Sequence, residues 1–101
     1  MEKKDFAEKY LFPNELLVFW KDIDGEIILL HRKEKQVYEL TKAASFIWKA
    51  VAEKMKIEEI IQAMQLKYKK VKKDVIRKDT LDFINNLVKD KVLLIKNERF
   101  N

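Results

Sequence analysis

Between Gln36 and Leu94 the chain reads as one short strand, three successive helical patterns and a closing apolar run, an order that confines it to a small α+β module. Gln36-Val37-Tyr38-Glu39-Leu40 alternates with a period of two, so Tyr38 and Leu40 share one face and Val37 and Glu39 the other. Thr41 stands where a helix N-cap is wanted, directly before Ala43, Ala44, Phe46, Ile47, Trp48 and Val51. Ile57, Ile60, Ile61, Met64 and Leu66 mark a second helix, although the Glu53 to Lys56 joint carries no glycine, proline or strong cap. A third helix is expected from Val71 to Asp90, followed by the exit Val92-Leu93-Leu94-Ile95.

Upstream, the only glycine is Gly25 and the only proline Pro13, and these two punctuate the segment. Leu16-Leu17-Val18-Phe19-Trp20 reads as a strand, Asp24-Gly25 as a turn and Glu26 to His31 as the returning strand. Ile27, Ile28, Leu29 and Leu30 are apolar on both alternating faces, which suits a central strand covered on both sides. Arg32-Lys33-Glu34-Lys35 is then a polar tip before the third strand, and sequential pairing leaves Gln36 to Leu40 at the sheet edge. The fold class expected is α+β, winged helix-turn-helix-like, with a three-stranded antiparallel sheet followed by three helices. Residues 1–14 read as an N-terminal arm, 15–95 as the domain and 96–101 as a tail.

A chain of 101 residues with 48% hydrophobic and 39% charged residues can bury one modest core under a solvated surface. No cysteine is present and His31 is the only histidine, which leaves no cysteine-ligated zinc, thiolate catalysis or histidine-rich metal site. No apolar run approaches the roughly 20 residues needed to span a bilayer, and Met-Glu-Lys-Lys-Asp leads into no signal-peptide core, so a cytoplasmic location is expected. The net charge of +5 favours acidic partners in general. Enzymatic chemistry finds little support. Asp22, Asp24 and Gly25 resemble the start of a calcium loop without the later acidic ligands, His31 has no nucleophile beside it, and Ser45 lacks flanking glycines. No catalytic residue and no cofactor is assigned.

On the third helix, at 100° per residue, Ile76, Thr80, Phe83 and Leu87 fall in one stripe, which should face the core. Leu81, Ile84 and Val88, with Arg77 and Asn85, form a second stripe turned roughly 90° away. That second stripe is either more core or the floor of a groove beside the third strand. An edge strand next to such a groove is suited to adding an extended peptide as one more strand. A winged-helix DNA-binding protein shares the same outline, and Lys67-Tyr68-Lys69-Lys70-Val71-Lys72-Lys73 would lead into its recognition helix, where only Arg77, Asn85 and Asn86 could read bases.

Two sets of residues add a family resemblance. Tyr38-Glu39-Leu40-Thr41-Lys42-Ala43-Ala44-Ser45-Phe46-Ile47-Trp48 resembles the strand-to-helix signature of the PqqD-like family, also called RiPP recognition elements, with Thr41 in place of the usual asparagine. Ile60, Tyr68, Asp79, Phe83, Leu87 and Val92-Leu93 are similar to that family's later pattern, with Lys91 where it usually has glycine. These domains bind leader peptides of ribosomally made, post-translationally modified peptides and perform no chemistry. The resemblance implies a leader strand antiparallel to Gln36, Val37, Tyr38, Glu39 and Leu40. Leu81, Ile84 and Val88 would supply pockets beside Asn85, and Arg77 and Lys78 would pair with acidic leader residues. The implied partners are a precursor peptide and a separate maturation enzyme such as a radical SAM enzyme, a cyclase or a leader peptidase. A homodimer through the same edge would compete with the peptide.

Overall fold

The computed structural model describes residues 6–97. A three-stranded antiparallel sheet, β2 (Val18–Ile23), β3 (Glu26–His31) and β4 (Gln36–Glu39) in that order, precedes three helices, α1 (Lys42–Ala52), α2 (Ile57–Lys67) and α3 (Lys73–Lys89). A second, two-stranded sheet joins β1 (Tyr10–Pro13) to β5 (Leu93–Lys96). The α+β, winged helix-turn-helix-like class expected from the sequence is the class observed.

The β2–β3 hairpin forms where the sequence predicts it. Asp24 and Gly25 both adopt positive φ, 54° and 91°, the signature of a two-residue type I′ turn whose twist matches the flanking strands. Asp22 Oδ1 accepts the Gly25 N–H at 2.8 Å, so this carboxylate closes the turn. The first strand starts later than Leu16, because Leu17 and Val18 both donate to the Asn14 carbonyl at 2.9 Å and curl the chain before pairing begins.

Coverage of the sheet on both faces is not observed. Val18, Ile27, Leu29 and His31 are buried on the inner face, whereas the cross-strand row Phe19, Leu30 and Val37 is 52%, 36% and 60% exposed on the outer one. On the inner side α1 packs against β3, and on the outer one Arg32 shields part of the open row by lying 5.8 Å over the Phe19 ring.

Residues 1–5 of the expected arm and 98–101 of the expected tail lie outside the described residues. Within them, Leu11 and Leu93 are buried, and β1 runs antiparallel to β5 from Tyr10 opposite Lys96 to Pro13 opposite Leu93. Ile57 donates to the Lys9 carbonyl at 2.9 Å, which ties this small sheet to the start of α2.

The glycine-free joints are resolved by lysines in left-handed backbone. Lys54, at φ 65°, donates to the Val51 carbonyl at 2.9 Å while Met55 donates to that of Ala50 at 3.2 Å, the paired bonds of a Schellman end to α1. Lys91, at φ 63°, repeats the device at the end of α3: it donates to Val88 at 3.0 Å and Val92 donates to Leu87 at 2.9 Å. At the start of α2, Glu59 Oε1 accepts the Lys56 N–H at 2.8 Å, the acidic half of a capping box. Trp48 is fully buried at the centre of the core, edge-on to Trp20 with ring centroids 6.0 Å apart.

Candidate functional site

Among the described residues β4 pairs with β3 alone, so its other edge is open. The register sets Glu39 opposite Ile28, Tyr38 opposite Leu29 and Val37 opposite Leu30, and the Leu40 N–H reaches the Ile27 carbonyl at 2.9 Å. Antiparallel ladders alternate, so Gln36, Tyr38 and Leu40 direct their peptide groups to β3, while Val37 and Glu39 direct theirs to the open edge. Side chains alternate too. Tyr38 and Leu40 lie on the helix-covered face, and Val37 lies on the bare one.

The last rung of this ladder is made by a side chain. Ile27 N–H donates to Ser45 Oγ at 2.9 Å, and Ser45 Oγ donates onward to the Leu40 carbonyl at 3.4 Å. One hydroxyl of α1, 1% exposed, thus stands between two main chains where they diverge, and holds the end of β4 against the helix. Thr41 caps the same helix by accepting the Ala44 N–H at 3.1 Å.

Between β4 and the C-terminal end of α3 lies a cavity of about 350 Å³, lined by Leu29, His31, Glu34, Tyr38, Leu40, Leu87, Asp90 and Val92. Tyr38 stands at its mouth, its hydroxyl 3.0 Å from Gln36 Oε1 and 3.3 Å from Glu34 Oε1. Burial, then the charge and hydrogen bond of Glu34 and the charge of Asp90, push this phenol above its ordinary pKa of 10.0. His31 serves the turn, because its Nδ1 accepts the Glu34 N–H at 3.0 Å. One helical turn back along α3 is a second cavity of about 300 Å³, with Thr41, Ala44, Ile47, Met64, Tyr68, Asp79, Thr80 and Phe83 in its wall. Thr80 is only 2% exposed, and its Oγ1 finds no hydrogen-bond partner among the described residues.

The profile of the family described as Coenzyme PQQ synthesis protein D (PqqD) matches residues 26–93, from the first residue of β3 to the first of β5. The chain belongs to the PqqD family. A solved structure described as "TbiB1 in Complex with the TbiA(beta) Leader Peptide" superposes with a TM-score of 0.71 at 28% sequence identity, covering 81% of this chain and 93% of that one. None of the curated proteins compared with the chain matches it. The span shared with the PqqD family contains β4, Ser45, both cavities and the Lys91 turn.

Within this PqqD frame, α3 is rotated relative to the sequence expectation. Ile76 and Thr80 are buried as expected, but they share the cleft wall with half-buried Phe83 and Leu87. The stripe assigned to a groove points elsewhere. Ile84 is fully buried, Leu81 and Val88 pack against the core, and none of the three lines either cavity. Arg77 Nη2 bonds Glu58 Oε2 of α2 at 2.7 Å, Lys78 Nζ bonds Asp82 Oδ2 along its own helix at 2.9 Å, and Asn85 is exposed. Two apolar stripes 90° apart do not by themselves say which one meets α2. The Arg77–Glu58 pair and the burial of Ile84 decide it.

Sequence reasoning passed over Asp79 and Asp90 as cleft residues. A signal was present: on a 100° wheel both fall beside Phe83 and Leu87, and a stripe that carries two carboxylates is only partly covered.

Proposed function

We propose that this PqqD-family protein captures the leader of a ribosomally made precursor peptide by adding it as a strand antiparallel to β4. It would present that peptide, in the cytoplasm, to a separate maturation enzyme such as a radical SAM enzyme, a cyclase or a leader peptidase. The observation that carries this reading is the open β4 edge, with the peptide groups of Val37 and Glu39 turned outward beside a cleft floored by Leu40, Phe83 and Leu87. The TbiB1 structure, with its leader peptide, supports it.

Main-chain pairing along Gln36 to Leu40 is indifferent to sequence, so selectivity falls to side chains that enter the two cavities. The protein itself does no chemistry. It raises the local concentration of substrate at its partner enzyme, as a tether does. DNA binding fits this surface poorly. The lysines of residues 67–73 run from the last residue of α2 to the first of α3, Arg77 is engaged with Glu58, and the cleft carries Asp79 of α3 and Asp90 just past its end, which repel phosphate.

The test is a titration of the purified protein with the leader segment of the precursor peptide encoded beside its gene, repeated with Val37→Pro. Proline removes one outward N–H and leaves every β3–β4 bond in place. Capture predicts binding by the native chain and a loss of about tenfold or more in the variant. Equal binding by both proteins would exclude strand addition.

A further inference from the structure

The cleft has a chemistry that its carrier's net charge of +5 conceals. Of all the residues that line the two cavities beside β4, the charged ones are Glu34, Asp79 and Asp90, and no lysine or arginine is among them. No ion pair occupies these carboxylates among the described residues: Lys56, Arg77 and Lys78 are bonded to Glu8, Glu58 and Asp82. In the cavity wall next to Asp79, the buried Thr80 hydroxyl also lacks a partner. Against this apolar lining the three carboxylates add acceptors, and Tyr38 O–H, which reaches Glu34 at 3.3 Å, is the one side-chain donor given to them among the described residues.

Register says which residue of an added strand would meet them. Val37 and Glu39 exchange the main-chain bonds, so Tyr38 faces a non-hydrogen-bonded position, where paired Cα atoms approach to about 4.5 Å and side chains lie closest. The incoming side chain opposite Tyr38 points to the helix-covered face, toward the cavity that Leu40, Leu87, Glu34 and Asp90 line. An apolar floor ending in two carboxylates and a phenol fits a long aliphatic stem with a cationic head.

We propose that the captured peptide carries a lysine or arginine opposite Tyr38, its stem on Leu87 and its head between Glu34 and Asp90. The residue two positions before it in the antiparallel strand meets Leu40 and enters the neighbouring cavity, where Asp79 and Thr80 accept from a side chain bearing a donor. The cleft is therefore selective for a basic segment, the reverse of what the protein's overall charge favours. This inference rests on the strand-addition reading above.

The test is a selection of displayed random 12-residue peptides on the purified full-length protein, run in parallel on a Glu34→Gln/Asp90→Asn variant whose thermal unfolding matches the native protein. Native protein should enrich peptides with lysine or arginine at one fixed position, and their affinity should fall on Val37→Pro. The double variant should bind those peptides more weakly, by about 1.5- to fivefold per lost carboxylate, and lose the basic preference while keeping the apolar one. Peptides that depend on Val37 but show an acidic preference, or none, would overturn the cationic subsite alone. If no peptide is enriched, or those enriched are indifferent to Val37→Pro, the strand-addition reading fails with it.

Discussion

Replacing Ser45 by alanine removes an oxygen that two main chains share. The hydroxyl accepts from Ile27 N–H at 2.9 Å and donates to the Leu40 carbonyl at 3.4 Å, and the residue is 1% exposed, so water cannot readily take its place. Alanine strands a buried N–H, which costs about 1 to 3 kcal/mol; the longer bond to Leu40 adds little, because that carbonyl stays part-buried at the strand end. A loss of about 2 kcal/mol in a domain this size lowers Tm by roughly 8 to 16 °C. Urea denaturation followed by tryptophan fluorescence reads it as a lower midpoint at unchanged slope, with Lys42→Ala on the exposed side of the same helix as control. The consequence should also be local: the Leu40 amide, next to the lost rung, should exchange faster than that of Leu29 in the centre of the sheet. A Ser45→Ala protein within about 0.5 kcal/mol of the native one would refute the bridging role.

Lys91→Gly and Lys54→Gly should each stabilise the protein, by about 0.5 to 1 kcal/mol, because glycine removes the left-handed strain that each lysine bears and gives part of it back as unfolded-chain entropy; thermal unfolding of the single variants measures this. Arg77→Ala should leave peptide affinity within about twofold and lower stability by no more than about 1 kcal/mol, since its partly exposed pair with Glu58 faces α2, whereas Leu87→Asp should abolish capture. Tyr38 has its pKa raised in the folded protein, so the stability linked to it is complete below the ordinary tyrosine value of 10.0 and is lost as pH rises through the higher folded one. Tyr38→Phe should flatten that alkaline decline in a pH series of urea midpoints.

Local chemistry made much of this fold readable. Asp24-Gly25 admits few backbones other than a tight hairpin turn, Thr41 supplies the cap at the one place it is needed, and the alternation of Gln36 to Leu40 fixes an edge strand two residues before α1. What escaped the sequence depended on partners distant along the chain. β1 becomes a strand only because β5, more than eighty residues later, offers Leu93 to Lys96 as its mate. The rotation of α3 depends on Ile84 finding a core built from distant elements, with Arg77 reaching Glu58 of α2, and lysine at φ near +63° is tolerated because two main-chain bonds at each helix end hold it there. The candidate cleft divides along the same line: the edge strand beside it was legible from period alone, while Phe83 and Leu87, which the period of α3 assigned to the core, line its cavities, and the acidic residues beside them were not read as part of it.

Residue-resolved hydrogen exchange of β4, with and without a bound leader peptide, tests the central claim most directly. Strand addition predicts that the Val37 and Glu39 amides exchange quickly in the free protein and become protected in the complex, while Tyr38 and Leu40, already bonded to β3, are protected in both. Protection that appears at β2 or along the lysines of residues 67–73, with Val37 and Glu39 unchanged, would contradict it.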